Sequence, residues 1–255
     1  GRRVPCKRKT PFVNLGVHTP YELLNASGDV SLWVWKAVWM GHTALGICDR
    51  NTMGATLALQ KACEKAGIRP VIGYTCTLAH EGDKVEVKIY CQSQRGLRNL
   101  LRIQKAVMVD AADATVPLPE LLRRGEGNVL VFGKLSPFWM EKNLPAVKAL
   151  RETFDKVFYQ VDLSEYKAER LDAEVLKATA HFFHTFYDER NDSFLVEPVL
   201  IADCYYPDKD DARTKTVLNK IATGAAHAQS DDQYFKDIDE HYAAVCALFD
   251  GERWD

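Results

Sequence analysis

The chain lacks three features that would each identify a common class of protein. Its seven cysteines are an odd number and form no Cys-x-x-Cys pair, which argues against a disulfide framework and a cysteine-based zinc site. No apolar run approaches the ~18 residues of a membrane span, and no signal peptide is recognisable. We therefore expect a cytoplasmic protein without membrane contact, whose cysteines are small core residues of a reducing compartment.

The chain also has no excess of charge of either sign. Its formal net charge is −2 and its isoelectric point is about 6.4, so the whole domain carries no nucleic-acid signal. A local exception is the start, residues 1–11, which we interpret as a flexible basic arm, solvated or in contact with phosphate backbones. Its cations are Arg2, Arg3, Lys7, Arg8 and Lys9.

What is present fits a globular domain with a sizeable core. Of the 255 residues, 47% are hydrophobic and 27% are charged, which suits one large α/β domain over residues 12–255. Predicted strands alternate with predicted helices, without an internal repeat or a low-complexity linker, and residues 70–78 and 84–90 form a predicted hairpin. This alternation favours a parallel barrel or a doubly wound sheet.

Several element boundaries bear on the site. A buried first strand is predicted at residues 12–17, and a helix capped by Asp29 or Ser31 should run to about Met40 and stop at Gly41. The other helices are predicted over residues 52–66, 96–108, 117–124, 142–154, 169–186, 210–223 and 239–249, and the other strands at residues 43–48, 128–132, 156–161 and 197–204.

Polar residues and glycines follow the predicted strands, at the end where α/β domains usually build their sites. These stretches are Asn14-Leu-Gly-Val-His18-Thr, Asp49-Arg50-Asn51, Gly73-Tyr-Thr75, Gly133-Lys134 and Ala202-Asp203-Cys-Tyr205.

In order and spacing, these strand ends resemble the PHP (polymerase and histidinol phosphatase) domain. More closely, they are similar to the PHP domain that opens the alpha subunit of bacterial DNA polymerase III. Further similar stretches are Lys65-Ala-Gly-Ile-Arg-Pro-Val-Ile-Gly73, Arg95-Gly-Leu-Arg-Asn-Leu-Leu101 and residues 203–235. The resemblance covers residues 12–249 and implies a distorted (β/α)7 TIM-like barrel of PHP type.

Active PHP domains use metal ions, held by His, Asp, Glu and Cys side chains, to hydrolyse phosphoesters. At the ligand positions implied by the resemblance, His18 and Asp203 keep a family ligand, and Glu86 stands near the position of a histidine. If Zn, Mn or Mg is bound at all, these three residues are the expected ligands. The remaining ligand positions fall on Gly16, Asn25, Arg50, Thr75, Lys134 and Tyr205.

Arg50 and Lys134 would place fixed positive charges where divalent cations should lie. At ~4 Å and an effective dielectric constant of 20, each like-charge contact costs on the order of several kcal/mol. We therefore predict an internal salt-bridge and hydrogen-bond cluster with no metal, no other cofactor and no catalytic residue. This remnant site comprises His18, Asp49, Arg50, Glu86, Lys134 and Asp203.

Two other groups of residues need interpretation. His181 and His184 share one face of a predicted helix, but surrounding phenylalanines favour packing over metal binding. Leu32, Trp35 and Trp39 form a second apolar stripe on a helix that needs only one. They either lie beneath a loop or form a partner-binding face, since tryptophan is a favoured interface anchor.

The resemblance implies a non-catalytic structural or docking module of a DNA polymerase III alpha-type protein in DNA replication. Its expected partners are the remainder of the polymerase chain or a subunit such as a proofreading exonuclease. No polymerase palm carboxylates are recognised here, so we do not expect this chain alone to polymerise DNA.

Two alternatives stay open. One is a metal-dependent phosphoesterase or 3′–5′ exonuclease that uses His18, Asp49, Glu86 and Asp203. The other is a nucleic-acid-binding module that uses the basic arm. Further cations for that second role are Arg95, Arg98 and Arg102.

Overall fold

The computed structural model describes residues 12–22, 29–164, 173–212 and 232–248. The helices are α1 (Val30–Trp39), α2 (Thr56–Ala66), α3 (Gln94–Lys105), α4 (Leu118–Arg123), α5 (Pro137–Lys142), α6 (Leu144–Thr153), α7 (Ala173–Phe186) and α8 (Ile238–Leu248). The strands are β1 (Ala44–Ile47), β2 (Arg69–His80), β3 (Asp83–Cys91), β4 (Val116–Pro117), β5 (Asn128–Phe132), β6 (Lys156–Val161), β7 (Tyr187–Asp188), β8 (Ser193–Phe194) and β9 (Glu197–Leu200).

The main sheet runs in the order β1-β2-β3-β5-β6-β9, and β4 pairs with β2 beside this path. All pairings along the path are parallel except those of β3, which is antiparallel to β2 and β5. Residues 14–18, which we name the closing segment, join the two ends. Val17 bridges Ile47 on one side and Cys204 on the other, both in parallel. The fold is therefore a distorted (β/α)7 TIM-like barrel, as the resemblance implies.

Strand β3 turns its polar face inward. Its alternating apolar side chains, Val85, Val87 and Ile89, pack in the outer core between the sheet and the helices. Because successive side chains of a strand point to opposite faces, Glu86 and Lys88 face the barrel interior. The predicted hairpin with β2 is confirmed, with Gly73 opposite Tyr90 and His80 opposite Asp83.

The barrel interior is divided along its axis. Toward the amino ends of the parallel strands it is apolar, with Tyr90, Val129, Val131 and Ile201 in one cluster. A cavity of about 690 Å³ opens there. Toward the carboxyl ends the interior carries charged and polar side chains, so the candidate site lies at the end predicted from the sequence.

Helix α1 is fixed by its cap and by a buried lysine. Asp29 Oδ1 accepts a hydrogen bond from Ser31 N at 3.4 Å, and Gly41 follows the helix with a φ of +79°, so both predicted ends are confirmed. Lys36 points inward and pairs with Asp208 at 3.0 Å. The inward face also buries Val30, Trp33, Val34 and Ala37.

Several predicted boundaries are wrong. The helix predicted over 142–154 corresponds to α6, which begins two residues later at Leu144 and carries Pro145 in its first turn, where a missing N–H breaks no helical hydrogen bond. The short helix α5 that precedes it was not predicted. The helix predicted over 52–66 begins only at Thr56, since residues 52–55 form a turn in which Thr52 Oγ1 accepts a hydrogen bond from Gly54 N.

Three further boundaries also differ from the prediction. Residues 12–17 form no regular strand, because the closing segment meets each neighbour through a single bridge at Val17. Strand β9 ends at Leu200 instead of 204. The helix predicted over 96–108 ends at Lys105 and continues as a π-helical turn, Ala106–Asp110. Residues 1–11 and 213–223 lie outside the described residues.

Within the described ranges, no helix combines the length and the apolar composition needed to cross a bilayer.

Candidate functional site

The site centres on the carboxylate of Asp203, which follows β9 and is almost completely buried. Burial alone would raise the pKa of this carboxyl, but the ammonium groups of Lys88 and Lys134 and the His18 ring hold it well below its usual value. Its contacts are His18 Nε2 at 2.9 Å and Lys88 Nζ at 3.2 Å on Oδ1, and Gln160 Nε2 at 3.2 Å and Lys134 Nζ at 3.5 Å on Oδ2.

His18 lies between two carboxylates. Its Nε2 faces Asp203, its Nδ1 faces Glu22, and the ring stacks on Tyr205 with centroids 4.3 Å apart. Burial lowers the pKa of His18, but Cys48, Tyr205 and the hydrogen-bonded Asp203 raise it well above the ordinary value. The ring is thus an imidazolium that donates from both nitrogens, and neither nitrogen offers a lone pair to a metal.

Two lysine ammonium groups occupy the centre of the site. Lys88 is fully buried and makes an ion pair with Asp203 that is not aligned as a hydrogen bond. Lys134 Nζ lies 3.1 Å from Asp162 Oδ2 and 3.5 Å from Asp203 Oδ2. Burial opposes both charges, yet the neighbouring carboxylates keep the pKa of each lysine above its ordinary value. Both side chains therefore remain cations inside the barrel.

Asp49 has a different environment. Its two oxygens accept hydrogen bonds from Thr19 N at 2.6 Å and Thr19 Oγ1 at 2.5 Å. Burial raises the pKa of Asp49 to about 6, although the Thr19 hydrogen bonds and His18 favour the ionised form. Among the described residues, no lysine or arginine forms an ion pair with it.

Arg50 and Glu86 pair with each other at the mouth of the barrel, where both side chains are partly exposed. Arg50 N also donates to Glu22 Oε2 at 3.0 Å. Burial lowers the pKa of the Arg50 guanidinium, but Glu86 and the other acidic groups raise it above the ordinary value. All six residues of the predicted remnant site thus lie at the carboxyl end of the barrel.

Two groups of described residues bring potential metal ligands within 4.8 Å of one another: His18, Cys48 and Asp203, and His18, Glu22 and Asp49. Both groups depend on His18, whose two ring nitrogens are already hydrogen-bonded to carboxylates. The first also shares its carboxylate with Lys88 and Lys134. A two-metal centre needs several open donors that hold ions at ~3.5–4 Å. The residues present therefore do not fit such a centre, and Glu86 belongs to neither group.

The remaining positions that the resemblance assigns to ligands are occupied in other ways. A Cβ added to Gly16 would lie 2.0 Å from the carbonyl oxygen of Ala202, so the backbone leaves no room for a side chain there. Thr75 Oγ1 donates to Cys48 O at 2.7 Å. Asn25 lies outside the described residues.

Sequence reasoning missed four residues of the site: Glu22, Lys88, Gln160 and Asp162. Asp162 directly follows β6, so the rule that found the other strand ends applies to it as well. Lys88 is two positions from Glu86 on an alternating strand, and this spacing places both on one face. Glu22 lies in a loop turn after His18, where no pattern in the sequence marks it.

The tryptophan face, which we define as Leu32, Trp35 and Trp39, lies on the outer side of α1. The three residues are 54%, 63% and 36% exposed, so no loop among the described residues covers them. The rings of Trp35 and Trp39 stack with centroids 6.4 Å apart and an interplanar angle of 16°.

The two histidines of α7 have different environments. His181 Nε2 lies 2.5 Å from Glu141 Oε2, and its ring stacks on Phe138 with centroids 4.3 Å apart. His184 is exposed. Of the cations considered for nucleic acid, Arg95 pairs with Glu126 at 2.9 Å, whereas the basic arm lies outside the described residues.

Comparison with known proteins agrees with this architecture. Residues 14–134 match the family model of the PHP domain. A DNA polymerase III subunit alpha from Bacillus subtilis is 32% identical over 99 residues, which are 38% of this chain and 9% of that protein. The corresponding protein of Mycoplasma pneumoniae is 33% identical over 120 residues, or 47% of this chain and 13% of that protein. The matched region is thus a small part of these relatives.

Solved structures show a more distant similarity. An amidohydrolase from Chromobacterium violaceum has a TM-score of 0.47 at 9% identity, covering 92% of this chain and 96% of that one. A two-domain protein from Bacteroides vulgatus, described as containing a predicted PHP-like metal-dependent phosphoesterase, has a TM-score of 0.47 at 12% identity and covers 99% of this chain and 68% of that one.

Proposed function

We propose that this chain, which carries a PHP domain related to DNA polymerase III alpha subunits, is a non-catalytic docking module of a DNA-replication protein. One observation carries the proposal: the groups that could serve hydrolysis are bound to one another. His18 is held by two carboxylates, and Asp203 is neutralised by Lys88 and Lys134.

The electrostatics of this cluster explain why a divalent cation would be disfavoured. A metal at Asp203 would lie within a few Å of two ammonium groups and an imidazolium. At an effective dielectric constant of 20, a unit-charge contact at 4 Å is worth about 4 kcal/mol, and the repulsion doubles for a divalent ion. Displacing a lysine instead would leave its charge buried without a partner.

Metal content and hydrolysis test the non-catalytic half of the proposal. After purification without chelator and reconstitution with Zn, Mn or Mg, elemental mass spectrometry should find less than about a tenth of a metal per chain. A phosphodiester substrate and a single-stranded oligonucleotide should both remain uncleaved. Two tightly held metals per chain with divalent-dependent hydrolysis would establish the phosphoesterase or exonuclease alternative.

The tryptophan face supports the docking half. Trp35 and Trp39 present stacked indoles to solvent, and aromatic residues of this kind dominate interface energetics. The match covers only 9–13% of the relatives' length, so we place the partner surface in the remainder of an alpha-type polymerase or in a replication subunit such as a proofreading exonuclease.

Docking is testable with the double variant Trp35→Glu/Trp39→Glu. Its circular dichroism should match the parent, because both residues are exposed, while its affinity for a polymerase alpha chain lacking the matched segment should fall at least ~30-fold, about 2 kcal/mol. Leu176→Glu on α7, 46% exposed, is the control and should bind normally. Equal affinity of parent and double variant would refute this face as the docking site.

A further inference from the structure

Helix α3 carries an uninterrupted row of cations on its solvent side. Arg95, Arg98, Arg102 and Lys105 are exposed and follow the i, i+3, i+7, i+10 spacing of one helical face. No acidic residue occurs within Gln94–Lys105. Arg95 pairs with Glu126 across the adjoining loop. No ion pair involves the other three within the described part of the chain.

This row is held on a rigid support. Ser93 caps the helix by accepting a hydrogen bond from Gly96 N at 3.0 Å. A Cβ added to Gly96 would lie 2.0 Å from Gly127 O, which shows how closely the helix packs on that loop. Leu100 and Ile103 are fully buried in the outer core on the opposite side. The cations are therefore presented by a fixed helix.

We propose that this face of α3 binds the phosphate backbone of DNA. Three of the four cations are arginines, whose planar guanidinium forks match phosphate oxygens. Arg98 and Lys105 are about 10 Å apart along the helix axis, and duplex DNA carries one negative charge per about 1.7 Å of its own axis, so several phosphates lie within reach. This DNA contact goes beyond the proposed docking function. The DNA-binding proposal can be refuted while the docking proposal stands.

A membrane surface is the less suitable partner. A basic amphipathic helix binds lipid by burying its apolar face among the acyl chains. In α3 that face, with Leu100 and Ile103, is already buried in the core of the barrel. Only Leu101 adds a large exposed apolar side chain within this helix, at 47% exposure. A backbone of phosphates needs no such face.

Salt-dependent binding provides the test. Fluorescence anisotropy with a labelled duplex of mixed sequence should show binding that weakens with salt, with a slope of log K against log[salt] of about −2.7 if Arg98, Arg102 and Lys105 each neutralise one phosphate. The variant Arg98→Gln/Arg102→Gln should reduce the magnitude of the slope to about 0.9. The same variant should bind more weakly at low salt.

Matched controls separate this face from other sources of charge. Lys148→Gln/Arg151→Gln removes two exposed cations from α6 and should leave DNA binding unchanged. An unchanged slope in the α3 variant would overturn the proposal. So would binding lost only on deletion of residues 1–11, or binding to anionic phosphatidylserine vesicles but not to DNA. We expect these variants to leave metal content and partner binding unchanged, so the tests of the docking function remain independent.

Discussion

At the scale of single residues, Asp203 is the group on which the site depends. It is almost completely buried and faces three cationic side chains, His18, Lys88 and Lys134. Buried ion pairs contribute little net stability compared with apolar packing, but removing one partner leaves uncompensated charge. Replacing a single member of the cluster should therefore destabilise the fold, even if the net contribution of the whole cluster to stability is small.

The substitution Asp203→Asn should destabilise the fold by about 3–5 kcal/mol, because it keeps the shape of the side chain while removing the shared negative charge. Chemical denaturation measures the change. The matched control is Asp113→Asn, which breaks an ion pair with Lys84 in which both side chains are more than half exposed, and should leave the denaturation midpoint nearly unchanged. Equal effects of the two substitutions would contradict the role assigned to Asp203.

At the scale of elements, β3 shows what the sequence could and could not predict. The hairpin and the alternation of strands with helices were predictable, because turn residues and apolar periodicity are local properties. The inward position of Lys88 was not predicted, because the alternation of β3 does not say which face is the interior. In most half-buried strands the polar face meets water, whereas here it meets the barrel axis.

The site was partly predictable for the same reason. Asp49, Arg50, Lys134 and Asp203 follow strands and His18 ends the closing segment, so sequence order places them at one end of a barrel. Glu22 and Gln160 reach the cluster through a loop turn and a mid-strand position, and their roles depend on tertiary packing. The short helix α5 was not predicted at all, because a segment of 6 residues is too short to show a helical period of apolar residues.

Helix α8 is attached through a buried histidine. His241 is 5% exposed, and the centroid of its ring lies 4.9 Å from that of Phe12, which precedes the closing segment. Burial, followed by Lys236 and His42, lowers the pKa of His241 to about 3 from an ordinary value of 6.5, although Asp162 acts in the opposite direction. The neutral form of the His241 ring is therefore the one that packs against Phe12.

Acid should loosen this attachment. Because the pKa of His241 is lower in the folded state, its contribution to stability is complete above pH ~6.5 and is lost as the pH falls toward 3. Between pH 7 and pH 5 the loss should be about 2 kcal/mol. Urea unfolding at both pH values should show a smaller loss in His241→Leu, whereas the exposed control His184→Leu should keep the parent's dependence. The same loss in His241→Leu as in the parent would contradict the assignment, because Asp49 and His18, whose pKa values are raised, act in the opposite direction in both proteins.

At the scale of the whole molecule, the barrel carries its own internal counter-ions. The carboxylates of the site are matched by cations of the same chain, so folding should not require an ion from solution. In metal-dependent folds, by contrast, the free energy of metal binding is part of the folding free energy.

Thermal unfolding should consequently be insensitive to chelators. Addition of EDTA, or of Zn or Mn, should move the melting temperature by less than about 1 °C. A metal present at one hundred times its dissociation constant would add about 2.7 kcal/mol, which corresponds to roughly 5–10 °C for a domain of this size. A shift of that magnitude would show that the folded chain binds metal after all.

The crowding at Gly16 restricts which residues this position can hold. Ala202 O lies only 2.0 Å from where a Cβ would be, so even alanine at this position would force the closing segment away from the neighbouring strand end. A metal-ligating side chain therefore cannot be introduced at position 16 by a single substitution alone, because two hydrogen-bonded parts of the barrel wall would first have to separate. Protein design that aims at a metal site here would have to rebuild the backbone around position 16 before choosing any side chain.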